Sequence, residues 1–241
     1  FVLGQTLGPE LSPVERALLA STLRMARVVG VRDYWSVGFA LSLGISHHRI
    51  FYQVDDAMFL AEEPISTEKV GMELGKHQEP WIAVTIAPFV DIRREQQLLR
   101  VIACQLAQIS EATGMRLAFI PHVAAPPNQY VQSDVYFAQE LSKHVQAPLP
   151  AVVLDVYMAR QVKWLTSQAS LVISSRYHPI IFGLGATVPV FGIYRDDYTR
   201  VKVRGALAHA GLQHCSMDLE ECSEGRLTDA VLAIWRERER I

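Results

Sequence analysis

Arg176 and His178 stand two residues apart in SLVISSRYHPIIFGLGATVPVFGIYRDDY, residues 170 to 198, where a short apolar run meets a segment punctuated by proline and glycine. An arginine carries a planar, permanently charged fork that matches phosphate or carboxylate. A histidine gives or takes a proton near neutral pH. Together they suit a reaction on a small anion, one group holding charge and the other moving a proton. The same pair also has a structural reading, with Arg176 bound to a carboxylate and His178 capping a helix.

The neighbouring residues predict what holds the pair. Leu171 to Ile173 reads as a buried strand that Ser174 and Ser175 end. Pro179 suits the first position of a helix, which predicts a helix from Pro179 to Ala186 with His178 near its cap, and Val188 to Ile193 reads as the next strand. A strand, a turn and a helix start collect free backbone N–H groups and a positive dipole end, which favours an anion.

The rest of the chain alternates in the same way. Phe1 to Gly4 reads as a strand, followed by a helix from Ser12-Pro13 through Arg27 with Leu18, Leu19, Thr22, Leu23 and Ala26 as its apolar face. Val28 to Arg32 is strand-like, Asp33 caps a helix to Leu43 that Gly44 stops, and Ile50 to Val54 is a third strand ended by Asp55 and Asp56. Residues 61 to 80 are polar and aperiodic, with two prolines and two glycines. A second alternation follows: strand Trp81 to Ile86, helix Ile92 to Thr113 capped by Asp91, strand Met115 to Ile120, a proline-containing loop to Asp134 and helix Val131 to Val145. Asp155 is expected to cap a helix carrying Met158, Val162, Leu165 and Ala169 on one face, with later helices at Val201 to Ala210 and Leu227 to Arg238. This pattern predicts an α/β fold of two Rossmann-like parallel-sheet domains: residues 1–60, a linker at 61–80, and residues 81–241. The chain opens on Phe-Val-Leu-Gly-Gln without a Met, so the first domain is expected to be truncated.

In doubly wound sheets ligands lie beyond the carboxyl ends of the strands. That rule gathers Thr85, Pro88, His122, Ser174 to His178 and Tyr194 to Asp197 from the second domain, and Gln5, Arg32, Asp33, Asp55 and Asp56 from the first. Arg176 and His178 are the candidate catalytic pair. Ser174, Ser175, Tyr177, Arg32, Arg195, Arg200 and His122 are the candidate substrate contacts.

Composition narrows the partners. A net charge of −2, from 23 basic and 25 acidic residues, gives no footprint for nucleic acid. Cys104, Cys215 and Cys222 are odd in number and show no metal-ligand spacing, so no metal site is expected and a reducing cytoplasm fits. The longest uncharged run near the pair, Pro179 to Tyr194, has 16 residues broken by two prolines and three glycines, too short and interrupted for a membrane span. No signal peptide is evident.

The order GQTLGP at Gly4 to Pro9, VRDYWS at Val31 to Ser36, DDAMF at Asp55 to Phe59, and ASLVISSRYHPIIFGLGATVPVFGIYRD at Ala169 to Asp196 resembles the polysaccharide pyruvyl transferase family. The resemblance implies a fold like the two-domain GT-B glycosyltransferases, with phosphoenolpyruvate as donor, a pair of sugar hydroxyls on a glycan or glycan-lipid as acceptor, a pyruvate ketal as product, and no cofactor. The family's Arg-Leu-His motif falls on Arg176, Tyr177 and His178, implying contacts to the donor's carboxylate or phosphate and a catalytic histidine. The middle residue is Tyr here and Pro179 follows the histidine. A downstream lysine of the family falls at either Arg200 or Lys202. A lipid-linked acceptor would bring peripheral membrane association. Two other readings remain: a nucleotide-sugar glycosyltransferase of the same fold, disfavoured because no Glu lies between Glu140 and Glu220, and a catalytically inactive binding module.

Overall fold

The computed structural model describes residues 1–66, 69–70, 74, 79–88, 96–124 and 133–238. The expected Asp91 cap, most of the Pro121 to Asp134 loop and much of the 61–80 stretch lie outside the described residues.

Two all-parallel sheets carry the fold. The smaller has the order β1-β2-β3, formed by Val2–Gln5, Val29–Val31 and Ile50–Tyr52. Helices α1 (Pro13–Met25) and α2 (Tyr34–Ser42) connect these strands. Ser12 and Glu15 close a reciprocal cap at the start of α1, and Asp33 accepts from the Ser36 N–H at the start of α2. The buried stripe of α1 is Ala20, Leu23 and the following Ala26, with Leu18 at 64% exposure, so the expected apolar face is rotated by part of a turn. A period of 3.6 fits both stripes in this Leu- and Ala-rich run, and packing against β2 decides between them.

The larger sheet runs β6-β5-β4-β7-β8-β9. Its strands are β4 (Trp81–Thr85), β5 (Arg116–Phe119), β6 (Val152–Val153), β7 (Leu171–Ser174), β8 (Val190–Tyr194) and β9 (Ser216–Asp218). The central pair, β4 and β7, is buried at every residue, as strands covered on both faces must be. One face packs Ile82, Val84, Leu117 and Ile173 against α3 (Gln96–Thr113), α4 (Asp134–His144) and α9 (Leu227–Glu237). The other packs Ala83, Val172 and Val190 against α5 (Ala159–Gln168), α6 (Tyr177–Gly185) and α7 (Asp197–Ala208). A short α8 (Leu219–Ser223) follows β9, and neither β6, β9 nor α8 carries enough local pattern to have been expected. The strand order reverses between β4 and β7, the place where doubly wound folds open a crevice.

Four helix starts differ from expectation. Helix α4 begins at Asp134 rather than Val131, because Ser133 caps it by accepting from the Tyr136 N–H. Helix α6 begins at Tyr177 with Arg176 at the cap position, so Pro179 is its third residue and His178 its second. A proline is tolerated there because the first-turn N–H groups have no intrahelical partner anyway. Helix α7 begins at Asp197, since Asp196 accepts from the Thr199 N–H. Helix α5 is preceded by Met158, whose N–H donates to Gln161 Oε1. Asp155 instead pairs with Lys69 at 3.3 Å.

The two sheets are joined by contacts as well as by chain. A 3-10 turn at Asp56–Phe59 packs on α6. The buried Lys163 Nζ of α5 donates to the carbonyls of Met58 and Leu60, both at 2.7 Å. Gly205 of α7 lies so close to α2 that a Cβ there would stand 2.6 Å from the Asp33 Cβ. His209 Nε2 lies 3.0 Å from the Arg32 carbonyl, and its ring stacks on Tyr52 at 4.4 Å.

Candidate active site

A cavity of about 660 Å³ opens at the strand-order reversal. It is lined by residues following β4, β5, β7 and β8, by the first turns of α6 and α7, and on one side by Ala57 and Leu60. The convergence follows from parallel strands, whose carboxyl ends all release the chain at the same edge.

Arg176 enters this cavity from the cap position of α6. Ser174 Oγ accepts from its backbone N–H at 3.0 Å and donates to its carbonyl at 2.9 Å, which fixes the backbone while leaving the guanidinium to the cavity side. Arg176 Nη2 meets Asp134 Oδ1 at 2.6 Å. Asp134 is 2% exposed, and its other oxygen accepts the N–H groups of His122 and Val123. A buried carboxylate thus holds the guanidinium through Nη2, beside an Nε that is itself buried and has no hydrogen-bond partner among the described residues.

His178, two residues after Arg176 and second in α6, also lines the cavity. Burial holds its pKa below the ordinary 6.5; Asp55 pulls it upward, while Arg32 and Lys202 press it down. The imidazole is therefore neutral at pH 7. His122 lines the same wall, and burial with the nearby His178 and Arg176 pushes its pKa down to about 3. Its Nε2 has no partner among the described residues.

Of the expected contacts, Ser175, Arg176, Tyr177, His178, Arg195 and His122 meet at the cavity. Ser175 Oγ also accepts from the Ala87 N–H at 2.8 Å. Ser174 is fully buried behind the wall, where its hydroxyl bonds the Arg176 carbonyl of the turn and the Thr85 carbonyl of β4. Arg32 is off the wall too, paired with Asp55 at 2.5 Å and lying 4.2 Å from the centre of the Tyr177 ring. Arg200 faces solvent and pairs with Asp197 at 2.7 Å. One member of the site was not among the expected residues, and another was expected only as the alternative to Arg200. Asp134 holds Arg176 across 42 residues of sequence, with no local signal to show it. Lys202 lines the cavity with its Nζ 4.8 Å from the centre of the Tyr198 ring, and their spacing of four residues on one helix was a readable signal.

The charged groups of the lining are Arg176, Arg195, Lys202 and one acid, Asp196. Arg195 is paired with Asp196 at 3.1 Å. Lys202 makes no ion pair among the described residues. The cavity is therefore positive, with an anion as its complement. Among the described residues no three His, Cys, Asp or Glu side chains converge as a metal site.

The sequence model of the family described as "Polysaccharide pyruvyl transferase" matches residues 1–197. The chain belongs to the polysaccharide pyruvyl transferase family. The match to this family includes the site segment from β7 through the start of α7. No curated protein matches the chain. Among solved structures it is similar to UDP-GlcNAc 2-epimerase of Methanocaldococcus jannaschii in complex with UDP-GlcNAc and UDP, at 14% identity and TM-score 0.57, covering 92% of this chain and 57% of that one. It is similar to the S. aureus MnaA–UDP structure at 12% identity and TM-score 0.58, covering 93% and 53%. The UDP-GlcNAc 2-epimerase from Neisseria meningitidis bound to UDP-GlcNAc gives 13% identity and TM-score 0.57, covering 93% and 58%. At these identities the likeness is one of fold, the GT-B-like arrangement of parallel α/β sheets. The chain spans a little over half the length of these proteins. No described helix is long and apolar enough to cross a membrane.

Proposed function

We propose that the protein transfers a pyruvyl group from phosphoenolpyruvate to two hydroxyls of a sugar in a glycan or glycan precursor, forming a cyclic ketal and releasing phosphate. The observation that carries this reading is Arg176 at the start of α6, anchored by Asp134 beside His178 in a positive cavity. Phosphoenolpyruvate offers a carboxylate and a phosphate on adjacent atoms. Arg176 takes one through the part of its side chain that lines the cavity, with the N–H groups at the start of α6. Lys202, at the opposite end of the same wall's chain segment, takes the other as a point charge.

The reaction balances as two additions to one carbon. A sugar hydroxyl bonds to C2 as the methylene carbon gains a proton, giving a methyl group and a tetrahedral phosphate ester. The C–O bond to phosphate then breaks, and the second hydroxyl bonds to C2. Of the two hydroxyl protons, one ends on the methyl group and the other leaves with phosphate. His178, neutral at pH 7, takes the first hydroxyl proton and delivers a proton to the methylene carbon or the departing phosphate. Phosphoenolpyruvate is the donor substrate and the scheme uses no cofactor. A cavity of about 660 Å³ exceeds a three-carbon phosphate and leaves room for a sugar against Tyr157, Tyr198 and Phe182. A lipid-linked acceptor would place the protein at a cytoplasmic membrane surface.

The test is incubation with phosphoenolpyruvate and either free oligosaccharide or glycan-lipid acceptors, measuring phosphate release and an acid-labile ketal. Release that disappears in Arg176→Ala and His178→Ala, both folded, is the expected result. Absence of release with every acceptor overturns the reading, and turnover of a sugar nucleotide instead would assign a glycosyltransferase.

A further inference from the structure

Tyr177 is the first residue of α6 and sits between the two groups assigned above, Arg176 and His178. It is 8% exposed, and its ring is where three elements from both sheets meet. The Arg32 guanidinium lies 4.2 Å from the ring centre, arriving from the end of β2. The Lys202 ammonium lies 5.4 Å from it, arriving from α7. The same ammonium lies 4.8 Å from the Tyr198 ring. The Tyr177 ring also stands edge-on to His178, with centroids 5.6 Å apart and planes at 77°.

A lysine on a cavity wall needs something to hold it, because its long side chain has many rotamers. A carboxylate would hold Lys202 but would also cancel its charge. An aromatic face attracts a cation through the ring quadrupole and leaves the net charge in place. Lys202 has two such faces and, among the described residues, no ion pair. Arg32 differs, because Asp55 already neutralises it.

We propose that Tyr177 is a positioning residue that, with Tyr198, forms an uncharged aromatic cradle fixing Lys202 at the cavity wall with its charge free for the anionic donor. This rests on the pyruvyl transfer reading for the identity of the anion. The aromatic face is the working part and the hydroxyl is not.

Two measurements test it. In kinetics with phosphoenolpyruvate, Tyr177→Leu is expected to raise KM roughly tenfold with kcat changed less than about threefold, whereas Tyr177→Phe stays within about threefold of the parent in both. Tyr177→Leu combined with Lys202→Met should be no worse than Lys202→Met alone. Equal losses in Phe and Leu, an unchanged Leu variant, or compounded losses in the double variant would overturn the proposal. The second measurement needs no turnover: lysines are reductively methylated with a carbon-13 label, which preserves charge, and the Lys202 signal is assigned by its absence in Lys202→Arg. Ring-current displacement of that signal should persist in Tyr177→Phe and shrink in Tyr177→Leu. A signal at the position of solvent-exposed lysines in the parent overturns the cradle, even in a protein that ignores phosphoenolpyruvate. Should Tyr177→Leu fail to fold, Tyr198→Leu gives the same displacement test from the other ring.

Discussion

Two arginine–aspartate pairs flank the junction of the sheets, and they differ in what they leave free. Arg32 and Asp55, from the smaller sheet, are 15% and 10% exposed; Arg32 Nε donates to Thr6 Oγ1, one Nη donates to Asp55, and its plane lies against Tyr177. Arg176 and Asp134, from the larger sheet, are 33% and 2% exposed, and Arg176 Nε has no partner among the described residues. The first arginine donates through Nε and one Nη and lies against an aromatic ring, which makes it part of the framework. The second is held through Nη2 by a buried carboxylate while a third of its own side chain stays open. An arginine becomes a recognition group when its anchor is stronger than its own hydrogen bonding is complete.

The largest effect expected from this contrast is on turnover. On the proposed pyruvyl transfer, Arg176→Met should lower phosphate release by roughly a hundredfold or more with little change in Tm, because that reading gives its charge to the reacting anion. Arg32→Met should show the reverse order, a drop of several degrees in Tm with a smaller kinetic loss, measured by calorimetry and steady-state kinetics on the same samples. Equal Tm losses in the two would erase the distinction.

Next come the anchors. Asp134→Ala leaves Arg176 without its partner and two backbone N–H groups unbonded, an expected loss of about 3 kcal/mol in urea unfolding. Asp55→Ala, at a less buried pair with one backbone donor, Ala57, should cost about half as much.

A pH series separates the same two regions. His122, beside Arg176, takes up a proton near 6.5 when unfolded but only near about 3 when folded. Its protonation therefore favours the unfolded chain, and stability falls as pH drops from about 6.5 toward 3, with no contribution above that window. Asp55 acts lower: burial raises its pKa, but the Ala57 N–H and Arg32 outweigh that and hold it below the ordinary 3.8. Its contribution is present above 3.8 and is lost only as pH falls through its depressed folded value. His122→Gln should flatten the upper part of the profile and leave the lower part intact.

The smallest effect belongs to Arg200→Ala, whose exposed pair with Asp197 predicts a change within about 0.5 kcal/mol and unaltered kinetics.

The caps at Ser12, Asp33 and Asp196 are hydrogen bonds closed within three residues, so sequence shows the residues that make them. Asp33 was read that way, whereas the start of α7 was placed four residues late because Asp196 was assigned to a strand end. The alternation of strands and helices was equally legible, since each element carries its own period. The rotated face of α1 was not, because Leu18 and Leu23 satisfy the same periodicity and only contact with β2 separates them. Arg176 and His178 were visible as a pair, but Asp134 is 42 residues from its partner and Lys202 reaches Tyr177 from another element. Those contacts are created by the order of strands, which no local spacing records.

Lys163 carries one more consequence. By gripping the carbonyls of Met58 and Leu60, it binds the strip that supplies Ala57 and Leu60 to the cavity onto α5. That strip follows the smaller sheet in sequence but packs on the helices of the larger one. A cut made at residue 61, where composition changes, would therefore remove part of the cavity wall and leave a buried ammonium without its carbonyls. Fusions and permutations of this protein should keep Asp56 to Leu60 together with α5.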